Sequence, residues 1–558
     1  MPTAYWAGGA SGATTDTNNA ANWVDAANGT NAFGSVPDGN DDVIIQSTSN
    51  SNVSHNPTQT AAHTFNSIKI EAGGEWTADG SNHLTLNGEN GSHFAFTNNG
   101  TYTHANGTVV INNGGGGIAH AAIRNGVATS TTGFYDLTIS GGGTTCEIYG
   151  DTTIHRNMEA GGSTTVLRGS LTVTGNLTIE GTLNTRYGST DKNLTVAGTT
   201  QVTGTLTCNS SAISLGTGLT SGWGLDIQSG GTFNGGSATH TIGSIFAAGG
   251  GTRTITLSSG ATTIDSKNTG NGYSINLASG ATFNHGSGTV TMTYAGNTLI
   301  QLSGGTLAFN TFTYNASGRT LELRSPMSCA ANLTLTAGTL DTKSGTNHAL
   351  TVTGKAYIGP NDGTSDTATL TCNASDISIG SGYTADYSLM VVGGGTFVGG
   401  SGTHTLGSIY QANAAGAKIT LSSGTTNINA EYSSGNYAIN ILGSSATFNH
   451  GGGTVLMNYS GTTYIREDNS TLELNDLTIN HGSADVNTNS NLTCAGDVTI
   501  TAGILDTEDD TISFGSLTIA SGATYDATSG TTTITNKNSS NYIIQIGGLF
   551  THNGGTVY

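Results

Sequence analysis

Four histidines recur in one short phrase, and imidazole is the commonest transition-metal ligand. The phrase reads GATFNHGSGTVTM from Gly280, SATFNHGGGTVLM from Ser445, GTYTHANGTVVI from Gly100 and GLFTHNGGTVY from Gly548. In each copy an aromatic residue (Tyr102, Phe283, Phe448, Phe550) stands two places before a histidine (His104, His285, His450, His552). The closest two histidines are 102 residues apart, and no copy carries a second His, Cys or acid at ligand spacing. The spacing therefore predicts turn histidines and no metal site. Asp38-Gly39-Asn40-Asp41-Asp42 spaces oxygens as a calcium loop begins, and Asn361-Asp362 with Asp366 is a looser version. Neither has the glycine at loop position six or the later bidentate glutamate, so both read as turns. Glycan cleavage needs two carboxylates on one face. The acidic groups Glu467-Asp468 and Glu508-Asp509-Asp510 are sequence neighbours, and adjacent strand positions point to opposite faces. No nucleophile motif or phosphate loop is present. The sequence thus predicts no catalytic, cofactor-binding or metal residues, and a chain that is not an enzyme.

The elements that carry these residues are short strands. Aromatic-x-His, then a glycine-rich turn, then Thr-Val reads as strand, tight turn, strand, with Val and the aromatic on one side at period two. Leu171-Thr172-Val173 and Leu177-Thr178-Ile179 show the same alternation in β-branched residues. No segment sustains helical periodicity with caps. A cysteine follows three of the histidines: Cys146 after 42 residues, and Cys329 and Cys494 after 44 each.

A longer repeat encloses this unit. TLTCNSSAISLGTG from Thr205 returns 164 residues later as TLTCNASDISIGSG from Thr369, and the register holds through His240/His404, Ile255/Ile419 and Tyr273/Tyr437. One insertion makes it 165 at Phe283/Phe448, and AANLTLTAGTLDT from Ala330 matches AGDVTITAGILDT from Ala495. Apolar strand centres come back every ~20 to 25 residues, the usual size of one solenoid coil. That spacing predicts roughly 25 coils in the chain and roughly seven or eight in each long repeat.

Composition supports an array over compact domains. Among 558 residues there are 85 glycines and five prolines, with 9% charged residues and no strict Gly-X-Y period. The net charge of −20 argues against nucleic acid, because phosphate contacts need clustered Lys and Arg. No run approaches 18 apolar residues, which predicts no membrane insertion. The opening MPTAYWAGGASG has neither a basic region nor an apolar core, which predicts no Sec-type signal peptide. The five cysteines are odd in number, and Cys208 and Cys372 are too many coils apart to bond. Burial as small apolar side chains is the expectation.

Residues 1–48, with Tyr5, Trp6 and Trp23, read as an N-terminal aromatic cap. AYWAGG from Ala4, AANWVDAANG from Ala20 and VPDGNDDVIIQ from Val36 carry a resemblance. Trp6, Gly8, Gly9, Asn22, Trp23, Pro37, Asp41, Asp42, Val43 and Ile44 match a Trp-Gly-Gly, Asn-Trp, Asp-Asp-Val-Ile opening. This opening resembles that of phage tail-fibre and adhesin-like β-solenoid surface proteins. The chain departs from it at Ala7 and over Ala13–Thr17. The resemblance implies architecture and an exposed, particle-associated role, and transfers no catalytic residue.

The expected fold is all-β, a parallel β-solenoid (β-helix), expected to be right-handed. The cap is followed by irregular coils over 49–175, long repeats over 176–331 and 332–495, and a shortened repeat over 496–558. The expected function is a structural virion appendage or fibre, located on a virion or extracellular surface. Its expected partners are other protein subunits, through self-association or particle docking, and host surface glycans. A carbohydrate-active tailspike enzyme and a secreted adhesin are the alternatives. The glycine run Gly114–Gly117 reads as a flexible loop or a narrow corner, and the final residues through Tyr558 as a coil edge that another chain covers.

Overall fold

The computed structural model describes residues 1–9, 12, 14–88, 94–112, 121–125, 133–142, 145–162, 164–247, 249–360, 366–443, 445–468 and 470–558. Ala13, the run Gly114–Gly117 and the pair Asn361-Asp362 lie outside them. Two units divide the chain, Met1–Gly288 and Thr289–Tyr558. Each is a stack of three-stranded coils whose strands pair in parallel with the coil before and after, and about 21 turns are counted over both. The fold is the expected parallel β-solenoid. The number of coils is lower than 25, because several coils carry extra residues outside their strands, such as the hairpins Arg186–Tyr187/Thr190–Asp191 and Lys343–Ser344/Thr346–Asn347. The only helical element among the described residues is a 3-10 turn, Ala20–Asn22. No helix there is long and apolar enough to cross a membrane.

In the first unit one ladder runs from Thr3–Trp6 through Asp42–Ile45 and Ser67–Ile70, and later through Thr205–Thr207, Thr232–Asn234 and Arg253–Thr256. A second includes Leu171–Val173, Leu194–Val196, Ile213–Leu215 and His240–Ile242. A third includes Leu177–Ile179, Thr200–Val202, Leu225–Ile227 and Ile245–Ala247. Alternation decides the faces: Leu171 and Val173 are buried while Thr172 between them is half-exposed. Identical inward positions stack coil on coil, so each β-branched or Leu side chain fills the gap left by the one below.

At the N-terminus the short strand Trp23–Val24 pairs antiparallel with Thr3–Trp6 on the edge of its ladder. Trp6 and Trp23 are fully buried with ring centroids 4.9 Å apart, edge to face. Trp23 Nε1 donates to the Thr17 carbonyl at 3.0 Å and Trp6 Nε1 to the His55 carbonyl at 2.6 Å, so neither indole leaves a donor unpaired.

The second unit shows how the duplication meets the coil. Leu333 is followed in its ladder by Ala356, Leu389, Ile409, Ile439, Ile465 and Thr488. Its repeat equivalent Val498 belongs to another ladder, paired with Leu477, in line with Val455 and Thr426. The long repeat therefore spans six turns and part of a seventh, not seven or eight, and equivalent residues fall on different faces of the coil.

Candidate functional site

All five cysteines are buried free thiols, and burial pushes the Cys146 and Cys329 thiols up to about 12. They are unreactive core side chains. Ile255 and Ile419 are likewise buried. Phe283 and Phe448 stand in register with them in the same ladders but remain half-exposed. Phe448 sits on a strand paired with Lys418–Thr420 on one side alone among the described strands.

Each motif histidine turns its ring onto its own turn. Nδ1 accepts the backbone N–H two residues on: Asn106 to His104 at 3.1 Å, Ser287 to His285 at 2.9 Å, Gly452 to His450 at 3.0 Å and Gly554 to His552 at 3.0 Å. His481 repeats the bond with Ser483 at 3.2 Å. The ring nitrogen does here what an Asn or Asp oxygen does in an Asx turn.

The acidic candidates are also engaged locally. Asp38 Oδ1 accepts from Asn40 N at 2.9 Å, Asp41 Oδ2 from Asp38 N at 2.9 Å, and Asp42 Oδ1 from Asn66 and Ser67 at 2.7 and 2.6 Å. Asp366 accepts from Ser317 at 2.7 Å. Asp510 accepts from Thr488 at 2.8 Å, and Asp509 from Ser529. The Glu467 carboxyl is raised above the ordinary range, mainly by burial, and Asp468 lies 4.0 Å from Arg466. Among the described residues no group of three or more His, Cys, Asp or Glu is arranged to hold a metal ion.

What the structure assembles instead is aromatic. In the first unit Trp223 stacks on Phe246, centroids 4.6 Å apart and planes 14° from parallel. Phe246 is an outward residue of its ladder, between Asp226 and Asn276. In the second unit Tyr387 stacks on Tyr410 at 4.9 Å and packs against Tyr432 at 4.6 Å with its plane tilted by 38°. Tyr410 likewise lies between Met390 and Asn440. Asn440 Nδ2 donates to the Tyr387 hydroxyl at 2.6 Å, and Arg466 Nε donates to Asn440 Oδ1 at 3.0 Å. The Arg466 guanidinium covers Tyr437 at 4.6 Å. Both stacks stand on buried ladders, and in the second Asn440 also holds the Tyr387 hydroxyl, so the rings are fixed before any ligand arrives.

The sequence carried a signal for these sites that period reading passed over. Trp223/Tyr387 and Phe246/Tyr410 are each 164 residues apart, so two aromatic positions persist through the duplication, the second of them on the outward side of its ladder. Phe246 and Tyr410 are half-exposed and each lies on a buried ring, Trp223 or Tyr387, and a surface ring fixed in this way suits ligands with one apolar face and a polar rim, as a sugar ring has. Comparison with protein-family models, with curated proteins and with solved structures finds no match to this chain.

Proposed function

We propose that this chain is a structural protein, a fibre or appendage of a virion or other extracellular particle, whose β-solenoid holds glycan-contacting aromatic stacks on its sides. The reading rests on one observation: at equivalent places in both copies of the duplication a half-exposed ring, Phe246 or Tyr410, is stacked on a buried one, Trp223 or Tyr387. Parallel ladders that pair one coil with the next give the stiffness that an exposed appendage needs. Other subunits of the particle, or further copies of the chain, are the protein partners in this reading, and residues 1–48 act as a cap. The chain performs no glycan cleavage in this reading: Glu467 and Asp468 are adjacent residues at the end of the strand Gly461–Asp468, where successive side chains leave opposite faces, and Asp509 and Asp510 lie together in a turn.

The test combines location and binding. Antibody labelling in electron micrographs of native particles should decorate a projecting element. Surface polysaccharides should be retained by the purified chain, and Phe246→Ala with Tyr410→Ala should abolish retention without lowering the melting temperature. Labelling confined to the cell interior, or retention unchanged in the double variant, would defeat the proposal. Reproducible release of new reducing ends, lost on replacing a single Asp or Glu, would replace it with the tailspike-enzyme reading.

A further inference from the structure

Positive charge is scarce in this chain, yet five of its fifteen Lys and Arg residues, Arg124, Arg156, Arg168, Arg186 and Lys192, fall within one stretch of the first unit. Four of them gather on one outward face. Arg124 pairs in its ladder with Tyr149, and its guanidinium lies 5.6 Å from the Phe94 ring. Phe94 in turn packs on Tyr149 at 4.9 Å. Arg168 is held between Tyr149 at 4.4 Å and Tyr187 at 3.2 Å. The hairpin Arg186–Tyr187/Thr190–Asp191 brings Tyr187 and Lys192 to the same place. A cavity of about 210 Å³ opens there, lined by Tyr149, Arg168, Tyr187, Thr190 and Lys192.

The charges in this groove are not equally committed. Arg168 donates to Glu147 Oε1 at 2.8 Å, and the Tyr149 hydroxyl donates to Glu147 Oε2 at 2.8 Å, so the carboxylate is ion-paired on one oxygen and hydrogen-bonded on the other. Arg186 lies 3.8 Å from Asp191 and donates to the Gly188 carbonyl. The Lys192 ammonium has no hydrogen bond or ion pair among the described residues, and Arg168 Nε–H is buried without an acceptor. Tyr187, 43% exposed, presents a ring to solvent beside that ammonium. The groove thus offers one free cation, one hydroxyl on Thr190 and flat aromatic walls, in a protein whose net charge of −20 repels anions elsewhere.

We propose that this groove binds a carboxylated sugar residue, of the uronic or sialic type, within an acidic polysaccharide. The inference rests on the glycan-contacting reading above and adds the ligand class and a site for it. The carboxylate pairs with Lys192 and Thr190 while the apolar face of the ring lies on Tyr187. Lysine serves here as a point charge and the tyrosines as the shape.

The experiment is titration calorimetry of the full chain with a hexuronate oligosaccharide and with an oligosialate, each beside its carboxyl-reduced neutral counterpart and a poly-glutamate peptide. At least one acidic oligosaccharide should bind, its neutral counterpart at least about tenfold more weakly, and binding should weaken with salt. Lys192→Met and Tyr187→Ala should each cost about tenfold or more, and Lys192→Arg should restore most of the loss. Both positions lie at an exposed hairpin, and unchanged melting temperatures would show the variants folded. Failure of wild type to bind either acid, equal binding of the neutral counterpart or of poly-glutamate, or full affinity in Lys192→Met would overturn the proposal. Neutral-glycan retention lost in Phe246→Ala/Tyr410→Ala, alongside any of those results, would leave the appendage reading standing while this one fell.

Discussion

His240 and Thr262 are neighbours in one inward-facing ladder, and neither side chain has a polar partner: both imidazole nitrogens and the threonine Oγ1 are buried without a hydrogen bond. His404 and Thr426 reproduce the arrangement in the other copy. Burial holds both imidazoles well below the ordinary range, at about 4, with the Ser211 backbone near His240 and Asp376 and the Gly399 backbone near His404 offsetting only part of it. Both are therefore neutral at pH 7. An unfolded histidine takes up its proton near 6.5 and the folded one only near 4, so stability falls as pH drops through that window, by about 3 kcal/mol per histidine. Denaturant midpoints of wild type should decline between pH 6.5 and 4, and His240→Leu/His404→Leu should remove most of that decline. Parallel pH profiles for the two proteins would refute the assignment.

Thr342 bridges two coils through its hydroxyl. Its Oγ1 donates to the Cys372 carbonyl at 2.7 Å and accepts from Ser375 at 2.8 Å, and all three residues are buried. Thr185, with Cys208 and Ser211, repeats the contact at 2.7 and 2.7 Å. Thr342→Val keeps the shape and strands both partners, which should cost about 1–3 kcal/mol. Adding Ser375→Ala should cost less than its effect in the wild-type background, because the serine has by then lost its acceptor. Additive losses in chemical denaturation would show that the hydroxyls do not act together.

The parts of this molecule that were legible in the sequence are those written at the coil period. Leu171-Thr172-Val173 gave the faces, and Cys208 and Cys372 gave the interior, because stacking imposes the same size and polarity on each coil. The departure between repeat and coil was not legible: Leu333 and Val498 are equivalent in sequence yet belong to different ladders, and only the strand pairing reveals it. The aromatic stacks were missed for a related reason. Tyr387 and Tyr432 come from connections outside the strands, where no periodicity marks a residue as a neighbour of Tyr410.

Gly400 adopts φ +68° in a turn where a Cβ would collide with the Asn373 carbonyl, which already accepts from Ser401 N at 2.6 Å. Gly382 has a similar φ of +71° but open space around it. Gly382→Ala should cost about 1 kcal/mol from backbone strain alone, whereas Gly400→Ala adds a backbone displacement and should cost about 2–4 kcal/mol. Unfolding curves that place the two variants together would show that the coil spacing at Gly400 relaxes freely.

The motif histidines supply the last prediction, because a turn role and a metal role respond to different substitutions. His285 Nδ1 accepts from Ser287 N at 2.9 Å across a turn whose two central residues, Gly286 and Ser287, have φ of +65° and +68°. Asn449 does the same for Gly451 at 2.8 Å one position before His450, so an amide oxygen performs this task elsewhere in the chain. His285→Asn should therefore preserve stability within about 0.5 kcal/mol, while His285→Ala, which leaves the Ser287 N–H without its acceptor, should lose about 1 kcal/mol. A metal ligand would behave otherwise: both substitutions would be equally damaging, and zinc or a chelator would shift the melting temperature of wild type. Melting curves of the three proteins with added zinc and with EDTA decide between the roles, and a zinc-dependent shift abolished by His285→Asn would overturn the turn assignment.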